Sequence, residues 1–181
     1  KTEELYHSLL GSTPDAIVFY DITGRTKYVN DAFTRTFGWN LDELQEGVPY
    51  VHDSEKEISG INVKKVVQDG IPVSHFETKR FTKDGALVDV SISASRFNDH
   101  EDNPAGMLVI LRDITAQRQS EQELIENEER YRAIFTNEID GISIFDIETR
   151  RFVDVNDAYL DLNGYTREEI LKLTTDDISA E

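Results

Sequence analysis

Apolar and polar residues alternate strictly from Val88 to Ser95, which predicts a β-strand with one buried face within segment 86–97. The following segment 107–112 is apolar on both faces, as is typical of a central strand that is covered on both sides. Similar but shorter patterns predict three more strands, at 16–20, 26–30 and 73–82.

Helices are predicted between the second and third of these strands from their N-terminal caps. Asn30 can cap a helix that holds Phe33 and Phe37. Two further helices are predicted by capping boxes, Asn40 with Glu43 and Ser54 with Glu57. An amphipathic helix is also predicted from Glu3 to Leu10. This order of elements predicts an α+β domain with one antiparallel sheet.

The chain contains an internal repeat. The stretch "IVFYDITGRTKYVNDAF", which begins at Ile17, is matched by "ISIFDIETRRFVDVNDAY", which begins at Ile142. A repeat this long predicts tandem domains. We predict a first domain over 1–115, a linker helix over 116–136 and the N-terminal part of a second domain over 137–181. Two strands cannot form a stable core alone, so that part is expected to pack on the first copy, on a second chain or on further residues.

Composition excludes several classes of function. The net charge of −17 argues against a nucleic-acid binder and against attraction to anionic membranes, because both need a basic surface. The absence of cysteine excludes disulfides and cysteine nucleophiles. No apolar run is long enough to span a bilayer. No catalytic motif is found, so we expect a cytoplasmic, non-catalytic protein.

Four stretches in order resemble the PAS sensor domain with its C-terminal PAC segment. They are "YVNDAFTRTFGWNLDEL", "YVHDSEKE", "KDGALVDVSISAS" and "GMLVILRDITAQR". The similarity covers Glu3 to about Arg118, and the second copy resembles the first half of another PAS domain. The resemblance implies a five-stranded antiparallel sheet of order 2-1-5-4-3 with helices on one face. It also implies a regulatory role upstream of an output domain, as in sensor histidine kinases or cyclic-dinucleotide enzymes.

The cofactor is left unknown by the sequence, although two family cofactors are disfavoured. Flavin photoreceptors that resemble this chain form a cysteine adduct, and the chain has no cysteine. Haem-binding members use a histidine on the long helix, whereas the corresponding segment "SEKEISGINVKKVVQDG" has none. His52, just before that segment, is expected to cap or turn the chain. A small organic acid, or no ligand at all, remains.

Side-chain alternation predicts which residues would line a pocket under the helices. The candidates are Phe33, Phe37, Ile61, Val66, Phe76, Arg80, Val90, Met107, Val109 and Leu111, with Val88 and Ile92 on the same face. If Phe76, Thr78 and Arg80 share this face, Arg80 points at the pocket. A buried arginine needs an anion. We therefore predict either a carboxylate-bearing ligand at Arg80 or an ion pair with a neighbouring Asp or Glu.

The last predicted strand runs into the linker helix without Gly or Pro, through Asp113, Ile114 and Thr115. Asp113 or Thr115 can cap the helix, so this segment is predicted to relay a signal. A heptad-like stripe along the helix favours a weak coiled-coil seam and a homodimer, although a solvated single helix fits as well. The stripe consists of Gln117, Glu121, Leu124, Glu128, Tyr131 and Phe135. Two functions stay open, a ligand-responsive sensor and a ligand-free dimerisation module.

Overall fold

Strand β5 lies at the centre of a five-stranded antiparallel sheet of order β2-β1-β5-β4-β3, which confirms the predicted fold. The computed structural model describes residues 10–137 and 139–178. The strands are β1 (Ala16–Asp21), β2 (Thr26–Val29), β3 (Val73–Phe81), β4 (Leu87–Asn98) and β5 (Pro104–Asp113). The helix predicted at Glu3–Leu10 lies almost wholly outside the described residues, and residues 10–12 are helical.

The helices of the first copy are inserted between β2 and β3. They are α1 (Asp31–Phe37), α2 (Leu41–Glu46), a 3-10 turn (Asp53–Glu55) and α3 (Lys56–Val67). Phe33 and Phe37 of α1 and Val66 of α3 are buried against alternate residues of the sheet, such as Val18 and Val109. One face of the sheet therefore carries the core, as the alternating pattern predicts.

The capping box is confirmed for Asn40 with Glu43, and Thr166 with Glu169 forms the same motif in the second copy. The box predicted for Ser54 is wrong. His52 Nδ1 accepts a hydrogen bond from the backbone N–H of Ser54 at 3.2 Å and caps the 3-10 turn instead. Helix α3 then begins at Lys56 with no side-chain cap. His52 thus has the capping role that was expected of it.

Asn30 joins four backbone groups of the first copy while being almost fully buried. Its Oδ1 accepts hydrogen bonds from the N–H groups of Ile17 at 2.9 Å and Phe33 at 3.0 Å. Its Nδ2 donates to the carbonyls of Leu10 at 3.1 Å and Asp15 at 3.0 Å. The side chain therefore caps α1 and also satisfies groups before and within β1, which is more than the cap that the sequence predicts.

Linker helix α4 (Thr115–Asn137) precedes the second copy. That copy begins with β6 (Ser143–Phe145), β7 (Phe152–Val155), α5 (Asp157–Asn163), α6 (Arg167–Ile170) and α7 (Thr175–Ile178). Asn156 repeats the role of Asn30, since its Oδ1 accepts from Ile142 N at 2.7 Å and Tyr159 N at 2.9 Å. A small core forms around Val155 and Ile170. The repeat seen in the sequence is thus also a repeat of hydrogen bonding.

The linker helix α4 spans Thr115–Asn137 without interruption. The chain divides into two compact units between Gln119 and Ser120, within this helix. Leu124 and Tyr131 of the heptad-like stripe are exposed, and Phe135 is buried. No helix within residues 10–137 and 139–178 is long and apolar enough to span a membrane.

Candidate ligand-binding site

A cavity of about 270 Å³ lies between the inner face of the sheet and helix α3. Helix α3 contributes Ser59, Asn62 and Val63, which fall on one side of the helix because they are three and four residues apart. The sheet contributes an apolar wall from β3, β4 and β5. That wall consists of Val73, Phe76, Ile92, Ala94, Met107, Val109 and Leu111.

Arg80 of β3 lies in the wall of this cavity and is only 5% exposed. Its Nη1 donates to Thr78 Oγ1 at 3.1 Å and to the Lys79 carbonyl at 2.8 Å, and its Nη2 donates to Ser59 Oγ at 3.2 Å. Its Nε is buried and has no hydrogen-bond partner. The guanidinium is therefore only partly satisfied by the protein.

No ion pair with Arg80 is found among the residues that the structure describes. Glu55 comes nearest in the hydrogen-bond network, because its Oε2 accepts from Thr78 Oγ1 at 2.6 Å, and Thr78 in turn accepts from Arg80. The Glu55 carboxylate is thus joined to the guanidinium only through a hydroxyl group. The ion pair that the sequence allowed as the alternative for Arg80 is not formed within the described part of the chain.

Two tyrosines stand beside Arg80 and also line the cavity. The ring of Tyr50 lies under the guanidinium, with the Arg80 Cζ atom 5.7 Å from the ring centroid, which suits a cation–π contact. Burial raises the pKa of Tyr20 to about 12, although the positive charge of Arg80 opposes the rise. Burial also raises the pKa of Tyr50 well above its usual value. Both phenols therefore stay protonated at neutral pH and can donate hydrogen bonds.

The structure brings together five of the ten candidates from the sequence, and the alternation of β-strands explains why. Phe76 and Arg80 share the inner face of β3, and the alternate residues of β5 share the same face. The candidates that line the cavity are Phe76, Arg80, Met107, Val109 and Leu111. Ile92, which was expected on the same face, lines it too, whereas Val88 only packs at the edge of the core.

The other five candidates do not line the cavity. Phe33 and Phe37 are buried behind Tyr50, whose ring lies 5.6 Å and 5.5 Å from theirs and which itself faces the cavity. Val66 and Val90 are fully buried in the core, apart from the cavity. These four residues belong to the hydrophobic core that packs behind the residues lining the cavity.

Ile61 was expected to close the pocket but is 44% exposed. Residues 61 and 66 are five positions apart, so they lie about 140° apart around the helix and cannot share a face. The face that meets the cavity runs through Ser59, Asn62 and Val63. The three- and four-residue spacing of this face is visible in the sequence. Two of its three residues are polar, however, so a search for apolar pocket residues did not identify the face.

The relay segment fastens α4 to the sheet. Asp113 Oδ1 accepts from Thr115 N at 2.9 Å and so caps the helix, while Ile114 is buried. Ile114 N donates to the carbonyl of Asp89 on β4 at 2.9 Å, and Asp89 N donates to Thr115 Oγ1 at 3.2 Å. Ile114 and Thr115 are thus both hydrogen-bonded to Asp89, a residue of the neighbouring strand β4.

Arg118 adds a second attachment in the first turn of α4. Its Nη1 lies 3.2 Å from Asp89 Oδ1, and its Nη2 forms an ion pair with Glu77 of β3. Strand β4 carries Ile92 and Ala94 in the cavity wall, and β3 carries Arg80. The strands that line the cavity are therefore the strands that hold the linker helix.

The sheet order and the helices on one face, with a cavity between them, define an α+β domain. Comparison with known families agrees, because a family model described as the PAS fold matches residues 4–114 and a model of the PAS domain matches residues 129–181. The chain belongs to the PAS family, with one domain match in each copy of the repeat.

Similar proteins place the chain among signalling regions. Sporulation kinase E of Bacillus subtilis (strain 168) is 24% identical over 181 residues, which is 94% of this chain and 22% of that protein. The chain thus spans about a fifth of the length of this relative. It is a PAS sensor region that resembles those of histidine kinases.

Two solved structures show the same fold. A PAS domain from Colwellia psychrerythraea has a TM-score of 0.55 at 21% identity, covering 64% of this chain and 99% of that chain. A domain of a sensory box sensor histidine kinase/response regulator from Geobacter sulfurreducens has a TM-score of 0.51 at 23% identity, covering 62% and 94%. At these identities the likeness concerns the fold.

Proposed function

We propose that the first PAS domain binds a small organic acid at Arg80 and relays its binding to the linker helix. The observation that carries this proposal is a buried guanidinium in a cavity wall with an unpartnered Nε. A buried charge that lacks an anionic partner costs stability. A carboxylate in the cavity would supply the missing negative charge, and arginine is well suited to bind carboxylates.

The relay follows from shared strands. Leu111 lines the cavity, and Asp113, two residues further along β5, caps α4. Ala94 and Ile92 line the cavity on β4, which holds the same helix through Asp89. A ligand that shifts either strand also shifts an attachment of α4, so binding energy is transmitted without a flexible segment between the two sites.

We further propose that the region is a non-catalytic, cytoplasmic regulatory part of a longer signalling protein that contains an output domain. Its likeness to a kinase of which it matches only 22% supports this proposal. A homodimer formed through the linker helices would transmit the change that the ligand causes. The exposed Leu124 and Tyr131 leave apolar surface on α4 for such a contact.

We expect organic acids to raise the melting temperature of the chain and to leave that of Arg80→Met unchanged. Methionine keeps an unbranched apolar stem but cannot pair with a carboxylate. An acid present at 100 times its Kd stabilises the folded state by about 2.7 kcal/mol, which a thermal-shift screen detects readily. The protein is refolded from denaturant before the screen to remove any retained acid.

Arg35→Met is the matched control, because it removes the same charge from an exposed position of α1. This variant should respond to acids as the unmodified chain does. If no acid stabilises the chain more than it stabilises Arg80→Met, the sensor function is wrong, and the ligand-free dimerisation module takes its place.

A further inference from the structure

The cavity carries a single positive charge. Among the described residues that line it, Arg80 is the only cationic side chain, and no lysine or histidine accompanies it. Only one of two carboxylates on a ligand could pair with Arg80, and the other would lie in the cavity without a cationic partner, where its desolvation is costly. The charge of the site therefore matches one carboxylate.

Several polar side chains lie around that charge. Tyr50 lies beneath the Arg80 guanidinium, Ser59 accepts from it, and Tyr20 lines the same space. The guanidinium and the two protonated phenol groups are hydrogen-bond donors that the two oxygens of a carboxylate can accept. A carboxylate placed here is satisfied without any group from the rest of the ligand.

Apart from Arg80 and Tyr20, the sheet side of the cavity has no side-chain donor or acceptor among the described residues. Its apolar wall is formed on neighbouring strands by Phe76, Ile92, Ala94, Met107 and Val109. If the rest of the ligand were polar, it would lose its hydrogen bonds to water at this wall and gain none from the protein. The cavity of about 270 Å³ equals the liquid volume of roughly nine water molecules, which suits a short to medium aliphatic chain or one ring.

We infer that the acid is a monocarboxylate with an apolar body, oriented with its carboxylate on Arg80 and its body against the β4 and β5 wall. This inference rests on the proposed sensor function and narrows it to one chemical class. It excludes dicarboxylates and tricarboxylates. It also excludes amino acids, because their ammonium group would lie near the positive charge of Arg80 and no described Asp or Glu lines the cavity to pair with it.

Calorimetric titration of the refolded chain with straight-chain monocarboxylates of increasing length tests the inference. Each buried methylene should tighten binding about fourfold until the cavity is full. The dicarboxylate of equal length should bind at least tenfold more weakly. Ala94→Leu narrows the apolar wall and should move the best length to a shorter chain. Ser95→Leu makes the same enlargement on the opposite face of β4 and should leave the best length unchanged.

The outcomes separate the inference from the function on which it rests. Dicarboxylates that bind as tightly as monocarboxylates would overturn the inference and leave an acid sensor in place. An optimal length that Ala94→Leu does not shorten would overturn the placement of the body. If neither class of acid binds, or if alcohols of equal length bind as tightly as acids, the proposed function itself fails.

Discussion

Asn30→Ala lowers the free energy of unfolding of the first PAS domain by about 3 kcal/mol. The buried N–H of Ile17 loses its acceptor, and an unsatisfied buried donor costs about 1–3 kcal/mol. The loss of the α1 cap adds about 1 kcal/mol. The carbonyls of Leu10 and Asp15 also lose a donor. Urea unfolding followed by the fluorescence of Trp39, the single tryptophan of the chain, measures the change in the first domain.

Asn40→Ala provides the matched comparison for this prediction. Asn40 is also an asparagine N-cap, at the start of α2, but it is exposed and accepts only from Glu43 N. Its removal should cost about 1 kcal/mol. Equal losses in the two variants would show that Asn30 acts only as a helix cap and that its bonds to β1 contribute little.

Arg80→Met raises the free energy of unfolding of the ligand-free protein by about 1–3 kcal/mol. Replacing a buried charge that lacks a good partner with an apolar side chain of similar length is commonly stabilising. The hydrogen bonds to Thr78, to Ser59 and to the Lys79 carbonyl are lost, but Thr78 keeps its bond to Glu55. A gain in stability on removal of the arginine indicates that the residue is kept for binding.

Urea unfolding after refolding without ligand measures this gain, again through Trp39. Arg35→Met, at an exposed position, should stay within about 0.5 kcal/mol of the unmodified chain. A loss of stability in Arg80→Met would mean that the three hydrogen bonds of the guanidinium outweigh its desolvation. Arg80 would then be a structural residue of the sheet, and the main support for the acid sensor would be gone.

The strands could be predicted from the sequence because a period of two is easily recognised over eight or more residues. The alternation from Val88 to Ser95 gave both the strand and its buried face. The order of the strands in the sheet was implied by the resemblance to the PAS family, since periodicity identifies strands and does not pair them.

Most of the candidates on strands line the cavity, and none of the candidates on helices does. Strand alternation placed Phe76 and Arg80 correctly, but Ile61 was chosen for its apolarity although it faces outward. Tyr50 was missed because it lies between elements, where no period exists to orient a side chain. The unpartnered state of Arg80 Nε depends on tertiary packing and could not be read from the sequence.

Asp89 holds the start of α4 by two kinds of bond that respond differently to the solvent. Its backbone bonds to Ile114 and Thr115 are short-range and almost insensitive to dissolved salt, whereas its ion pair with Arg118 is partly exposed and is screened as ionic strength rises. Added salt therefore loosens the first turn of the helix while its point of attachment stays fixed.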